Sequence, residues 1–492
     1  MKKLCKQILG FMFILLLITS CNNTQVKSTE KQLAELKSSK WTNLSTQYDS
    51  PHADKEIKKE ISTKVLAKWW TILGDDTLTD LITLALNNNK NLQEARAKVN
   101  EARAALGISK SKLLPWLDSN NSWNRVKTSD NSLRESGIAN TYKLEIDASW
   151  EIDIFGVNRH QVKSAVANLQ LQHAQLHSTW VTLSSEVAIN YISLRTLQER
   201  LRVAEDNLAL QENMTQLLQS KYNAGLIDEL YLNQSKYTAS QIKSTIPTIK
   251  ISIEETLNNL AILTGHVPGS LNEILSKKKK LPNINEMIYV GIPAETLRQR
   301  PDIQVAEYQL ESQIAKTKSA RAELRPKLTL SGSIGLESFS SGSLLSGASK
   351  GFSLLPQITF PIFNAGSIRR NIEVQSAKEE QYLAVYENTI LNAVAEVKNS
   401  LTAISQETKK NTSLKEGVDS ASLALKIAKS RYNNGLENFQ SVLDAQMALL
   451  SLEDQYVISE GQKLSNLIGL FKALGGGWEP LVKDQTKITN KK

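Results

Sequence analysis

The sequence predicts a mixed α and β chain, mainly α, made of two tandem structural repeats that each carry a pair of strands between helices. Three observations lead there. Ser220-Lys221-Tyr222-Asn223-Ala224-Gly225-Leu226 returns as Ser430-Arg431-Tyr432-Asn433-Asn434-Gly435-Leu436, 210 positions later. Leu92-Gln93 and Pro115 return as Ile303-Gln304 and Pro326, and Leu263-Thr264-Gly265 as Leu474-Gly475-Gly476, all 211 positions later. Such an offset exceeds that of solenoid repeats and marks two copies of a whole subdomain. Glycine (22), proline (11) and aromatics (6%) are sparse for 492 residues, which favours long helices. Inside each copy a period of two interrupts the helical spacing, as in a strand with one apolar and one wet face.

Residues 1–20 read as an export signal. A Lys-bearing start precedes the apolar run Ile8 to Ile18, which is too short for an ordinary membrane span. It ends in Ile18-Thr19-Ser20-Cys21, which resembles a bacterial lipobox, so Cys21 is expected to carry a covalent lipid as the new N-terminus. The alternative is an ordinary signal peptide followed by a chance cysteine. The only other cysteine, Cys5, lies inside the signal, so the mature chain has no disulfide framework. No later stretch of 18 apolar residues exists, which excludes a helical membrane protein. Loss of Lys2, Lys3 and Lys6 with the signal lowers the formal charge of +9 to about +6. That balance is too modest and dispersed to point to nucleic acid, and Lys277 to Lys280 reads as a solvated loop.

Each copy reads as helix, strand pair, long helix, tight turn, long helix. In the first, Leu81, Ala85, Leu92, Ala95, Val99 and Ala102 give helical spacing from Leu78 to Leu113, and Pro115 ends it. Tyr142, Leu144, Ile146, Ala148, Trp150, Ile152 and Ile154 then alternate with Lys143, Glu145, Asp147, Ser149, Glu151 and Asp153. The partner is a less regular strand from Trp116 to Val126. In the second copy Leu328, Leu330, Ile334 and Leu336 alternate with polar residues, and a Gly/Ser loop leads to Phe352, Leu354, Ile358, Phe360 and Ile362. From Val157 to Tyr222 nothing breaks the helical pattern, which at 1.5 Å per residue reaches roughly 100 Å. Val187, Asn190, Leu194, Leu197, Leu201, Ala204 and Leu208 step as a coiled-coil seam. In the second copy Val394, Val397, Leu401 and Ile404 precede a polar stretch, Ser405 to Gly417, expected to form a bulge or a solvent-facing segment. Gly225 and Gly435 supply the positive φ that a hairpin tip needs, and helices resume to about Leu263 and Leu474. The reading divides the chain into 1–20 (signal), 21–75 (lipid-anchored extended segment), 76–269 (first repeat, strand pair 115–155), 270–293 (linker), 294–478 (second repeat, strand pair 326–363) and 479–492 (polar tail).

Strands this long suit a tilted membrane-spanning ribbon, and Trp116, Trp123, Tyr142, Trp150, Phe155, Phe360 and Phe363 are placed near strand ends as an interfacial girdle requires. The soluble alternative is a sandwich hairpin with one face on a core. Four strands cannot close a barrel alone, because two unpaired edges would face lipid. An oligomer is required. A trimer gives twelve strands, although closure alone does not fix the number three.

Trp69-Trp70, Gly74-Asp75, Leu78, Leu81-Ile82 and Ala85-Leu86 resemble the start of TolC-like outer-membrane efflux proteins, in the lipoprotein branch called the NodT family. The linker Gly291-Ile292-Pro293-Ala294-Glu295-Thr296-Leu297-Arg298-Gln299-Arg300-Pro301-Asp302-Ile303, followed by Ala306-Glu307, is similar to the motif joining the repeats there. The Tyr-Asn-x-Gly-Leu tips and Pro361-Ile362-Phe363-Asn364-Ala365-Gly366 match as well, so the resemblance runs from Trp69 to Trp478. It implies a homotrimer whose twelve-stranded outer-membrane barrel continues as an α-helical tunnel across the periplasm. Such a duct serves a tripartite pump, docking through an adaptor protein onto an inner-membrane transporter that supplies the energy. No cofactor is implied, and no phosphate loop or nucleophile motif suggests an enzyme.

By the same resemblance, acidic side chains near the helix tips ring the periplasmic aperture. Asp444 falls on a matching position. Some relatives carry a second acid three residues earlier, where this chain has Ser441, and Gln234 stands at the equivalent place in the first copy. Three copies of Asp444 would face one another across the axis. Tyr222, Gly225, Arg431, Tyr432 and Gly435 mark the tips expected to meet the adaptor, and Glu145, Asp147, Glu151 and Asp153 would face a cation-friendly lumen. Multidrug, metal-ion and other ducts share this architecture, so the cargo stays open. The competing reading is a lipid-anchored periplasmic coiled-coil scaffold without a pore, which leaves the alternating strands unexplained. His173 and His177, four apart on a helix, suggest a metal pair, but with no third ligand nearby a solvated helix face is the simpler reading.

Overall fold

A computed structural model describes residues 29, 31–35, 66–129, 131, 137–277, 279–282 and 297–478. The signal, Cys21, linker residues 283–296 and the tail from 479 lie outside the described residues. The chain forms two compact units. One holds Asn100–Leu171 and Val305–Asn388 with the described residues before Trp41; the other holds Gln172–Gln304, Thr389 onward and the described residues up to Val99. Each unit therefore draws on both sequence repeats.

The first unit contains β1 (Trp116–Thr128), β2 (Gly137–Ile152), β3 (Lys327–Ser338) and β4 (Lys350–Thr359). They form one antiparallel sheet in the order β1-β2-β3-β4, so the seam between the sequence repeats is the β2–β3 pairing. Register confirms the alternation, because opposite residues share a face. Leu144 faces Leu336, Ile146 faces Ile334 and Trp150 faces Leu330, while Glu145, Asp147 and Glu151 lie opposite Gly335, Ser333 and Thr329. The outer strands are less regular. Ser119 and Asn121 fall on the apolar face, and Leu355 falls on the polar one. Trp123 and Tyr142 sit within the strands, stacked at 6.2 Å, rather than at their ends. Phe155, Phe360 and Phe363 lie beyond the strands.

Beneath the sheet in sequence, the first turns of α3 (Val157–Asn223) pack on α6 (Pro301–Ala322) through small residues. Ser164 and Ser312 share a buried 2.9 Å hydroxyl contact, and the Ser319 hydroxyl donates to the Val157 carbonyl at 3.0 Å. The Gln313 amide donates to the Gln375 backbone and side chain at 3.2 and 2.9 Å, attaching α7 (Ser367–Asn433).

The predicted helix from Leu78 to Leu113 is two helices, α1 (Asp76–Asn88) and α2 (Lys90–Ser111). Asn89 breaks it at φ −59°, ψ 133°. Its side chain accepts from the Leu92 amide at 3.0 Å and donates to the Leu263 carbonyl at 2.9 Å, so a buried asparagine both caps α2 and holds α4 (Glu229–Leu263). α4 is followed by the single turn α5 (Asn272–Leu275). The polar stretch Ser405 to Gly417 is continuous helix within α7, not a bulge. It faces α8 (Phe439–Ala473) with polar contacts: Asn411 donates to the Ser459 hydroxyl at 3.4 Å, and that hydroxyl donates to Glu407 at 2.7 Å.

In the second unit Trp69 is fully buried and stacks on Phe471 at 5.3 Å, and Tyr191, Ile192, Leu194 and Ile468 are fully buried as well. The seam on α3 departs from the predicted one. Asn190 and Leu197 lie partly exposed, whereas Tyr191, Arg195, Asn207 and Gln211 are buried. The Arg195 guanidinium donates to the carbonyls of Lys277 (2.8 Å) and Leu275 (3.2 Å) and lies 5.0 Å from the Tyr191 ring centre. It thereby pins the start of the inter-repeat linker. Arg300 does the same at the linker's far end, donating to Ala473 O and to both Asp302 and Glu396 at 2.7 Å.

Candidate functional site

The candidate residues fall in two places, the helix tips of the second unit and the polar face of the sheet in the first.

At the tips, α3 passes to α4 and α7 passes to α8 through the same turn. The Leu226 amide donates to Lys221 O at 2.9 Å and the Gly225 amide to Tyr222 O at 2.9 Å. In the second copy Leu436 donates to Arg431 O at 2.9 Å and Gly435 to Tyr432 O at 3.0 Å. This is the two-bond cap in which the left-handed residue is glycine, with φ of 75° at Gly225 and 70° at Gly435. Asp228 caps α4, accepting from Leu230 N at 3.4 Å, and Asn438 caps α8, accepting from Ser441 N at 3.1 Å. A shared apolar core then joins the two hairpins. Leu218 and Leu232 from the first copy pack with Leu425, Phe439, Val442 and Leu443 from the second. Tyr432 packs edge-on against Phe439 at 5.4 Å. Lys221 reaches from the first copy to the second, its Nζ 4.5 Å from the Tyr432 ring centre.

Asp444 lies on the exposed side of α8, one turn past Gln440, whose amide donates to its carboxylate at 2.7 Å. Ser441 is engaged as well: its hydroxyl donates to Glu437 at 3.0 Å, and Glu437 lies 3.7 Å from Arg431. Sequence reasoning missed Glu437, because the tip motif drew attention to glycine and tyrosine; its signal was a carboxylate one turn before Ser441. Gln234 is partly buried, and among the described residues its side-chain oxygen has no hydrogen-bond partner.

On the sheet, Glu145, Asp147 and Glu151 share the polar face of β2. Lys143 bridges to Glu337 of β3 at 2.9 Å and approaches Glu145 at 3.8 Å. Asp118 of β1 lies directly opposite Asp147, a like-charge pair that the irregular alternation of β1 concealed. Asp153 requires a correction. It follows the end of β2, and its carboxylate accepts from the Gly156 and Arg159 amides at 2.9 and 2.7 Å, so it caps the entry to α3 instead of extending the strand's acidic row. The opposite face is apolar and exposed: Phe352, Ile358, Leu354 and Ile334 are 86%, 73%, 70% and 65% accessible. Among the described residues the outer edges of β1 and β4 have no strand partner.

His177 also differs from expectation. It is buried, not solvated, and stacks on Trp478 at 4.4 Å, with neither ring nitrogen hydrogen-bonded among the described residues. Among the described residues no group of three His, Cys, Asp or Glu side chains could hold a metal, and no helix is long and apolar enough to cross a membrane.

The sheet is thus apolar and exposed on one face and polar on its reverse, and the long helices pair as hairpins. Comparison gives the family. The profile of the outer membrane efflux protein family matches residues 81–266 and again 292–476, and the chain belongs to that family. The toluene efflux pump outer membrane protein TtgF of Pseudomonas putida is 30% identical over 418 residues, 84% of this chain and 85% of its own length. Nodulation protein T of Rhizobium leguminosarum is 27% identical over 417 residues, 84% of this chain and 89% of its own. The solved outer membrane channel CmeC of Campylobacter jejuni superimposes with a TM-score of 0.82 at 26% identity, over 89% of this chain and 93% of that one. This chain is accordingly an outer-membrane efflux protein, and not an enzyme.

Proposed function

We propose that the chain is the exit duct of a tripartite efflux pump, a homotrimer that passes small molecules (drugs, toxic compounds or metal ions) passively while an inner-membrane transporter supplies the energy. One observation carries this reading: a two-faced sheet with two open edges, which lipid would not tolerate without closure by further copies. Three copies supply twelve strands. The apolar faces then meet lipid, and Glu145, Asp147, Glu151 and Asp118 line a cation-friendly lumen. Cys21 carries the covalent lipid and no other cofactor is needed. Asp444 forms a ring of three carboxylates at the periplasmic aperture, flanked by Ser441 and Gln234. The tips bearing Tyr222, Gly225, Arg431, Tyr432 and Gly435 meet the adaptor.

Protein extracted in detergent should run as a heat-modifiable species of three copies and give single-channel conductance in planar bilayers. A monomer soluble without detergent and silent in bilayers would overturn the reading.

A further inference from the structure

The two helix tips share one hydrogen-bonding pattern, so Lys221 and Arg431 occupy equivalent positions, as do Tyr222 and Tyr432. Within the chain only half of the possible cross-contacts is made. The Lys221 ammonium of the first copy lies 4.5 Å from the Tyr432 ring centre of the second, and 3.4 Å from its hydroxyl. The contact is directional: cation from the first repeat, ring from the second. Its counterpart, the cation of the second repeat and the ring of the first, is left over. Arg431 is 62% exposed, with Glu437 at 3.7 Å. Tyr222 is 39% exposed, and among the described residues its ring meets no other ring or cation.

A head-to-tail arrangement of identical copies resolves this. In a closed ring, the step from the second repeat of one copy to the first repeat of the next repeats the step already made inside the chain. We propose that Arg431 of one copy lies over the Tyr222 ring of the neighbouring copy, so that cation–aromatic pairs alternate within and between copies around the tips. Arginine suits this place, since its planar guanidinium stacks on an aromatic face. Glu437 lies 3.7 Å from its guanidinium and itself accepts from the Ser441 hydroxyl at 3.0 Å. The partner is a second copy of this chain, and the inference rests on the trimer proposed above.

The test is oxidative cross-linking of the full-length chain in detergent. Tyr222→Cys with Arg431→Cys should give covalent bands of two and three copies on non-reducing gels, which either single variant lacks. Lys221→Cys with Tyr432→Cys should close within one chain and stay at one-copy mass. Light scattering on the same samples reports the assembly independently. Three-copy mass without the covalent ladder overturns the inference and leaves the trimer standing. One-copy mass overturns both.

Discussion

His177 is a base buried away from water, stacked on Trp478 with both ring nitrogens unpaired among the described residues. Burial, with repulsion from His173, lowers its proton affinity from the ordinary 6.5 to about 4. As pH falls the unfolded chain therefore takes up the proton first. The stability this neutral histidine allows is complete above about pH 6.5 and lost progressively towards pH 4. By pH 5 the cost is about 2 kcal/mol. His177→Phe keeps the stack without the titration, so thermal unfolding followed by circular dichroism should lose that share of its acid sensitivity between pH 7.5 and 5. Equal acid sensitivity in both proteins would exclude His177 as its source. Arg300 is the opposite case, a permanent charge whose burial is offset by Asp302 and Glu396. Arg300→Met should lower stability by about 2–3 kcal/mol, because the Ala473 carbonyl and two carboxylates lose their donor. Neither role was legible in the sequence. A histidine four residues from another reads as surface or metal, and only the fold reveals that Trp478 covers it. The arginine was visible within the linker motif, but its partner Glu396 lies 96 positions away.

At the scale of elements, the sequence showed the long helices, the tips and β2 nearly to their ends, because apolar spacing and glycine punctuation are local signals. It misplaced the seam on α3, where Arg195, Asn207 and Gln211 are buried by hydrogen bonding that no hydrophobic count detects. The break at Asn89 hid for a similar reason: one asparagine does the work of a cap inside an otherwise helical run. Asn89→Ala should cost about 1–2 kcal/mol in denaturant unfolding, the usual loss for an N-cap, and more if the Leu263 carbonyl stays dry. Close approach governs α3 against α8. A methyl group on Gly461 would collide with the Thr196 side chain, which faces it directly. Gly461→Ala should therefore destabilise by about 1–3 kcal/mol, and trimming the obstacle with Thr196→Ala should recover most of it in a double-mutant comparison. Additive losses would show that the two positions do not touch.

For the whole molecule, the duplication was readable from sequence, whereas the order of the strands was not. Nothing local says that β2 pairs with β3 rather than with a neighbour's strand. The aperture assignment is tested by conduction: Asp444→Ala should change conductance or reduce cation preference in planar bilayers while three-copy assembly persists. Unchanged channel properties would return Asp444 to a solvated helix face, where Gln440 already partners it. The rims of β1 and β4, open among the described residues, have a further consequence in a cell that makes good and faulty chains together. In the proposed closed ring, a chain lacking β4 would still join one neighbour through β1, and each complex that admitted it would leak or stall. In the ring of three proposed above, half the supply being faulty would leave about one ring in eight with sound chains only, so a single damaged gene copy would act as a poison and not as a shortage.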